Sequence, residues 1–374
     1  MACNLAESFE ISDFLQEGAF YRSYGDGRDP RVHFWWGSAS DHASENRENT
    51  VFYMPFFGTQ VQAKIYAKSL SCTLAEFKQL LSTFVAAQDA QETSKKTPEK
   101  LNLRWAGPSE ASFERSFQTI KGKILREELD KAVPVVCKKA KLNSPQDFRG
   151  RLQAQKILKA LEAPEALHVF GLWDRREGVL GATPEILFRR QGRSLTSMAL
   201  AGTCPKKDLD NRIPLLKDEK ELKEHQAVVD DLMKKLAHFG RVQAGAPHVL
   251  ELPTLLHLKS DLFVEDFRGD EQEVIFSLHP TPALGVSPRN YGHHWMKQLP
   301  DQQDRGLFGA PLAFPLGPDD LICLVVIRSL FWKEEELSIY SGCGLVALSD
   351  FAQEWKELLA KLDSIENLLG LDRL

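Results

Sequence analysis

Short β-type segments joined by tight turns constrain this chain most. Residues 168–173, 186–190 and 194–201 are rich in β-branched and aromatic residues, with turn signals at 175–178 and 191–192. Parallel strands need crossovers of a dozen residues or more, so 186–190 and 194–201, joined across 191–193, pair antiparallel. Further strand signals lie at 32–36, 51–57, 131–137, 321–329 and 337–341. Helical spacing of apolar residues marks 74–87, 112–130, 151–161, 214–239 and 351–369. Gly240 is a candidate C-cap for the fourth helix. Asp350, Gln353 and Gly370 are cap signals for the last. Helices and strands alternate without a βαβ rhythm, which predicts an α+β fold on antiparallel sheets. The polar stretches 37–50 and 88–100 read as an exposed loop and a connector, and no linker divides the chain.

Composition removes several function classes. The net charge is −5 and no basic tract stands out, which argues against nucleic acid as a partner. No apolar run approaches the roughly 20 residues a membrane helix needs. The first residues lack the charged and apolar regions of a signal peptide. Cys3, Cys72, Cys137, Cys204, Cys323 and Cys343 are scattered, without metal-ligand spacing, as in reduced proteins. A soluble, cytoplasmic protein is expected.

Several constellations could carry chemistry. Glu221/Glu224 and Glu354/Glu357 are pairs three residues apart, so each pair shares a helix face. Those faces continue into Val228, Leu232 and Leu236, and into Leu358, Ile365 and Leu368, which places each pair beside a buried stripe. Four converging carboxylates would repel without a cation, and oxygen ligands of this kind suit Mg²⁺. Gly181-Ala-Thr-Pro-Glu185 is a turn signal that would fix Glu185 just before a strand. A carboxyl held in a partly desolvated place can serve as a general acid. Lys131 opens a short apolar strand, where a desolvated lysine can act as a base. Arg328 lies in an apolar strand and calls for a carboxylate, internal or from a ligand. The rigid loop 279–289 and the glycine turn 341–344 can present backbone groups. Taken singly, each feature also has an ordinary structural reading: solvated glutamates, a hairpin connection, a snorkelling lysine, structural His225 and His257.

Their order along the chain carries more. The blocks GATPEILFRR, SMALAGT, DEKELKEHQAVVDDL, LLHLKSDL, LHPTPALG with SPR, DRGLFGAPLAF, VVIRS, YSGCGLV and EWKELLAKL resemble the chorismate-utilising enzymes (anthranilate synthase component I-like) and stand in that family's order. The resemblance is strongest over residues 112–374, with 1–111 a divergent N-terminal part of the same domain. It implies one large α+β domain, 1–374, of two packed antiparallel sheets flanked by helices, with the active site in a cleft. It also implies roles. Lys131 activates water to attack ring carbon C2, and Glu185 protonates the departing C4 hydroxyl. Glu221, Glu224, Glu354 and Glu357 surround Mg²⁺. Arg328, Lys361 and backbone at Gly342 and Gly344 hold substrate carboxylates, and His257 lies near the ring. Gly202, Thr203, Ala283, Leu284 and Phe308 complete the substrate contacts. Ala201 stands where aminodeoxychorismate synthases carry a lysine, and neither a GAPK-type loop nor an LLES-type motif is present. These absences point away from amination and from a glutaminase partner. The expected activity is Mg²⁺-dependent isomerisation of chorismate to isochorismate by a monomer. Salicylate synthesis, which adds pyruvate elimination, is the close alternative, and a catalytically silent chorismate-binding protein a remote one. Pro134 within the Lys131 strand, Val136, Cys343 and Val286 depart from the family pattern.

Overall fold

Two antiparallel sheets share one long strand. The computed structural model describes residues 10–25, 28–38, 47–92, 103–144, 148–206, 215–251, 255–303 and 305–371. The first half of strand Gln62–Thr73 pairs with Thr50–Tyr53 and the second half with Arg28–Ser38, so it passes from one sheet into the other. From it the first sheet runs through Arg28–Ser38, Gly18–Gly25, His168–Trp173, Glu177–Thr183, Ser329–Lys333, Glu336–Gly342, Val135–Lys141 and Trp105–Ala106. The second runs through Thr50–Tyr53, Pro311–Gly317, Asp320–Val325, Ile186–Gln191, Ser194–Pro205 and Leu255–Glu265, which is flanked by Arg241–Ala244 and His248–Glu251.

Alternation along the strands gives each sheet two apolar faces. The facing sides meet in a core that includes Tyr21, Trp35, Tyr66, Phe170, Phe314 and Leu324. Trp35 stacks on Phe314 with ring centroids 5.6 Å apart. Helices Leu74–Glu92, Glu110–Leu125, Arg151–Ala160 and Phe351–Leu369 cover the outside of the first sheet. Helices Glu219–Leu236 and Glu271–Leu278 cover the second. This is the expected α+β architecture. The Asp350 side chain accepts the Gln353 N–H, and Gly370 takes the left-handed conformation at φ 59°, so both ends of the last helix are capped as the sequence indicates.

Several segments depart from the sequence reading. The turn expected at 175–178 is present as the hairpin after His168–Trp173, where the Asp174 N–H donates to the Glu177 carbonyl, but it leads into an unexpected strand, Glu177–Thr183, which runs into the stretch 181–185 read as a turn. Its glycines serve packing: a Cβ at Gly178 would lie 2.3 Å from the Trp332 ring, and one at Gly181 2.2 Å from Ser329 Oγ. The strand expected over 131–137 is split at Pro134. Lys131–Ala132 pairs with Val286–Ser287, and Val135–Lys141 joins the first sheet. The strand expected over 321–329 is likewise two strands in different sheets, and Arg328 between them takes φ 55°. The strand expected over 51–57 ends at Tyr53, and the helix expected to Asp130 ends at Leu125. The helix expected to reach Phe239 ends at Leu236, and Gly240 does not cap it. A Cβ on Gly240 would lie 2.5 Å from the Glu265 carbonyl, so glycine is required there by close approach to a strand. Pro214, most of the loop 37–50, the end of the connector 88–100 and Cys3 lie outside the described residues.

Candidate active site

The breaks in regular structure converge. Val133 beside the Pro134 break, the Pro184-Glu185 link, Arg328 and the 342–344 turn at strand ends, and the Gly202 bulge within strand Ser194–Pro205, surround one cleft of about 890 Å³, its open mouth included. Glu185, Gly202, Glu221, Glu224, His257, Ala283, Leu284, Phe308, Arg328, Gly342, Gly344, Glu354, Glu357 and Lys361 all line it. Lys131 reaches it through Glu224: its Nζ lies 2.5 Å from Glu224 Oε1, and only 3% of its side chain is exposed. Thr203 pairs through its backbone with His257 at the cleft edge.

Local geometry explains these placements. Gly202 takes φ 80° at the bulge in strand Ser194–Pro205, and a Cβ there would lie 3.1 Å from the Glu221 carbonyl. The strand can therefore approach the start of helix Glu219–Leu236. Val228, Leu232 and Leu236 bury that helix against the second sheet and point Glu221 and Glu224 inward. Leu358 and Ile365 do the same for Glu354 and Glu357 on helix Phe351–Leu369. Gly344 makes room for the Lys131–Glu224 pair: a Cβ there would lie 2.5 Å from Lys131 Cε and 2.9 Å from Glu224 Oε1.

Glu185 follows Pro184 and is 5% exposed. Its backbone N–H donates to Thr183 Oγ1 at 3.2 Å, and its carbonyl accepts the Val325 N–H at 3.1 Å. Burial raises its carboxyl pKa to about 7, although Lys131, Arg328 and Lys361 each pull it down. At neutral pH this group therefore populates both the acid and the carboxylate. Arg328 is lowered to about 10 by burial, with Glu185 opposing, and remains a cation. Its guanidinium lies 3.2 Å from His257 Nε2. Burial, reinforced by Arg328 and Lys361, keeps His257 well below the ordinary histidine range, so it is neutral and Nε2 accepts from Arg328. Lys361 lies 2.7 Å from Glu357 Oε1 and donates to the Gly342 carbonyl at 2.8 Å. Burial lowers its pKa, but Glu357 outweighs that and leaves it raised.

The family model described as chorismate binding enzyme matches residues 33–370. The chain belongs to the chorismate-binding enzymes. Among relatives of this family, it is 30% identical over 236 residues to isochorismate synthase MenF of Bacillus subtilis, covering 60% of this chain and 50% of that one. It is 34% identical over 206 residues to the salicylate biosynthesis isochorismate synthase of Pseudomonas aeruginosa, covering 52% and 43%. The chain spans about half the length of the curated relatives it matches. Its fold is similar to that of DhbC from Bacillus anthracis, titled a putative 2,3-dihydroxybenzoate-specific isochorismate synthase, with a TM-score of 0.75, 20% identity and coverage of 98% and 99%. Anthranilate synthase component I from Streptococcus pneumoniae gives a TM-score of 0.66 at 17% identity over 88% and 83%.

In this chorismate-binding enzyme the cleft also has walls that carried no chemical signal in sequence. Val133, Leu200, Ile327, Tyr340 and Ile365 line it and read singly as core residues, and Ala201, where the aminating relatives' lysine is missing, lines it beside them. His225 is buried at 2% exposure with Nε2 2.9 Å from Ser260 Oγ, a structural role. The four glutamates bring hard oxygen donors to one place, a donor set that fits a divalent cation such as Mg²⁺. In this conformation Glu224 holds Lys131 and Glu357 holds Lys361, and no three acidic, histidine or cysteine side chains among the described residues form a ready-made cage. The described cysteines are free thiols. No described helix is long and apolar enough to cross a membrane.

Proposed function

We propose that this chain is an isochorismate synthase: it moves hydroxyl function from C4 to C2 of chorismate by adding water at C2 and losing the C4 hydroxyl. One observation carries the reading. Glu185, a buried carboxyl with a pKa near 7, shares a cleft with Lys131, Arg328 and Lys361 and with two helix-borne carboxylate pairs. The family membership and the isochorismate synthases among the relatives support it.

Each residue then has a task. Lys131, released from Glu224 and having given its ammonium proton to solvent, takes a proton from the attacking water as the neutral amine. Glu185 in its acid form donates a proton to the leaving C4 oxygen, which departs as water. One water adds and one leaves, so product is an isomer of substrate. Acid and base each contribute roughly 10²–10⁴-fold where well placed. Arg328, held by neutral His257, and Lys361 supply positive charge for the substrate carboxylates. Glu221, Glu224, Glu354 and Glu357 would hold Mg²⁺, which when bound orients the ring carboxylate and draws electron density toward it. Ala201 offers no amine nucleophile where it lines the cleft, and this supports water as the nucleophile and action without a glutaminase subunit. The proposal includes a cytoplasmic monomer.

Incubation of the pure protein with chorismate and Mg²⁺ tests the reading. Isochorismate should accumulate without pyruvate. Stoichiometric pyruvate would instead mark a salicylate synthase, and absence of turnover would sink both.

A further inference from the structure

Arg305 is fully buried, and among the described residues no carboxylate pairs with it. A buried, unpaired cation is costly, and an apolar side chain of similar volume would often be as stable or more so. The guanidinium is satisfied instead by carbonyls and a ring. Its Nε donates to the Phe308 carbonyl at 3.1 Å, one terminal nitrogen to the Val133 carbonyl at 3.3 Å, and the other to the Leu284 carbonyl at 2.9 Å. Its other face lies 3.4 Å from the centroid of Phe56. Val133, Leu284 and Phe308 belong to three separate segments, and all three line the cleft. Arg305 itself does not line it and stands behind the wall.

Gln302, also fully buried, extends the arrangement. Its amide donates to the Val135 carbonyl at 3.0 Å, and its oxygen lies 3.5 Å from Arg305. Pro134 between Val133 and Val135 has no N–H and interrupts the Lys131 strand. The carbonyls on either side of that break are therefore taken up by Arg305 and Gln302.

We infer that Arg305 and Gln302 are positioning residues for the reaction: they clamp the Pro134 break and so fix where Lys131 stands relative to the Leu284 and Phe308 walls. Only a planar fork of donors spans three carbonyls in fixed directions, and a lysine ammonium at the same place does not. The two residues differ in reach. Besides Arg305 and the Pro300 carbonyl of its own loop, the Gln302 side chain bonds only the Lys131 segment, whereas Arg305 also holds two substrate-facing walls. The turnover arm of the test rests on the proposed function, and the exchange arm does not.

The test compares R305K and Q302M with wild type in the full chain. Amide exchange should speed at least 10-fold at Val133, whose N–H bonds to the Gly285 carbonyl, and at Phe308 in R305K, while amides of helix Phe351–Leu369 keep wild-type protection. With chorismate and Mg²⁺, Q302M should lose about 10-fold in kcat with KM within about threefold of wild type. R305K, which keeps the charge, should lose in kcat and raise KM. A purely structural role predicts lower thermal stability with wild-type kcat and KM per folded chain, and that result overturns the inference. Unchanged exchange at Val133 in both variants also overturns it. If wild type does not turn over chorismate while the exchange pattern appears, the functional reading fails and the clamp stands. Should R305K not fold, Q302M carries both arms.

Discussion

Replacing Glu185 by Gln removes the proton and keeps the shape, and it should change activity and stability in opposite directions. The carboxyl has a folded pKa of about 7 against an ordinary value of 4.5. A raised carboxyl pKa means that the folded state binds its proton more tightly than the unfolded chain does. Stability therefore falls as pH rises from about 4.5 to about 7 and is level beyond. The difference of about 2.5 units corresponds to about 3 kcal/mol of desolvation cost at pH 8 that Gln does not carry. With an unfolding entropy of about 2 cal/mol/K per residue, a chain of this size gains about 4 °C in Tm. Below pH 4.5, where wild-type Glu185 is protonated in both states, the two proteins should melt together. Turnover should meanwhile drop by about 10²–10⁴-fold, the usual worth of a placed acid. Wild-type kcat/KM should decline above about pH 7 as the acid ionises, and the variant's residual kcat/KM should lack that limb. The assay is calorimetry of metal-free protein at pH 4.5 and 8, paired with isochorismate formation across the same range. Full turnover by E185Q, or a Tm at pH 8 no higher than wild type, would refute the assignment of Glu185 as a buried acid.

Other perturbations follow from the same cleft. Glu224→Ala and Glu357→Ala should each weaken Mn²⁺ binding, read by electron paramagnetic resonance, by about 10-fold or more and remove the Mg²⁺ dependence of turnover. Lys131→Met should abolish turnover yet bind Mn²⁺ at least as tightly as wild type, because Glu224 loses the ammonium it now holds. Gly344→Ala should cost about 10²-fold in kcat, since its Cβ would lie 2.5 Å from Lys131 Cε and must displace the amine.

Signals that act locally were legible in the chain. Asp350 and Gly370 cap a helix whatever surrounds it, and the Val228, Leu232 and Leu236 stripe fixes the face that Glu221 and Glu224 share. Strand Glu177–Thr183 was missed because Gly178 and Gly181 mimic turn residues; the Trp332 and Ser329 side chains that exclude a Cβ come from about 150 residues away in sequence. Arg328 read as a strand residue because its neighbours are apolar, whereas the chain turns there to change sheets. The Lys131–Glu224 pair joins residues 93 positions apart, and no local pattern announces it. Tyr340, Ile327 and Val133 shape the cleft with apolar surface, which in sequence is indistinguishable from core. Chemistry-bearing residues stand out by type and spacing, while the walls that give them geometry do not.

The charges in the cleft bear on how ligands enter it. Four glutamates face Lys131, Arg328 and Lys361, His257 is neutral, and Glu185 is about half ionised near pH 7. The cleft is thus close to balanced, with a small negative excess and two of its carboxylates occupied by lysines. A dianionic substrate alone would add to that excess. A divalent cation alone would have to displace ammonium groups from Glu224 and Glu357. Together the two would add no net charge: under the proposed function the cation would take the carboxylates, and the freed lysines would turn to the substrate. Each ligand should therefore favour the other, and by reciprocity chorismate must tighten the metal by the same factor that the metal tightens chorismate. That expected coupling rests on the pairing of Lys131 with Glu224 and Lys361 with Glu357, which makes the lysines counterions of the metal-free cleft, beside the parts proposed for them in the reaction.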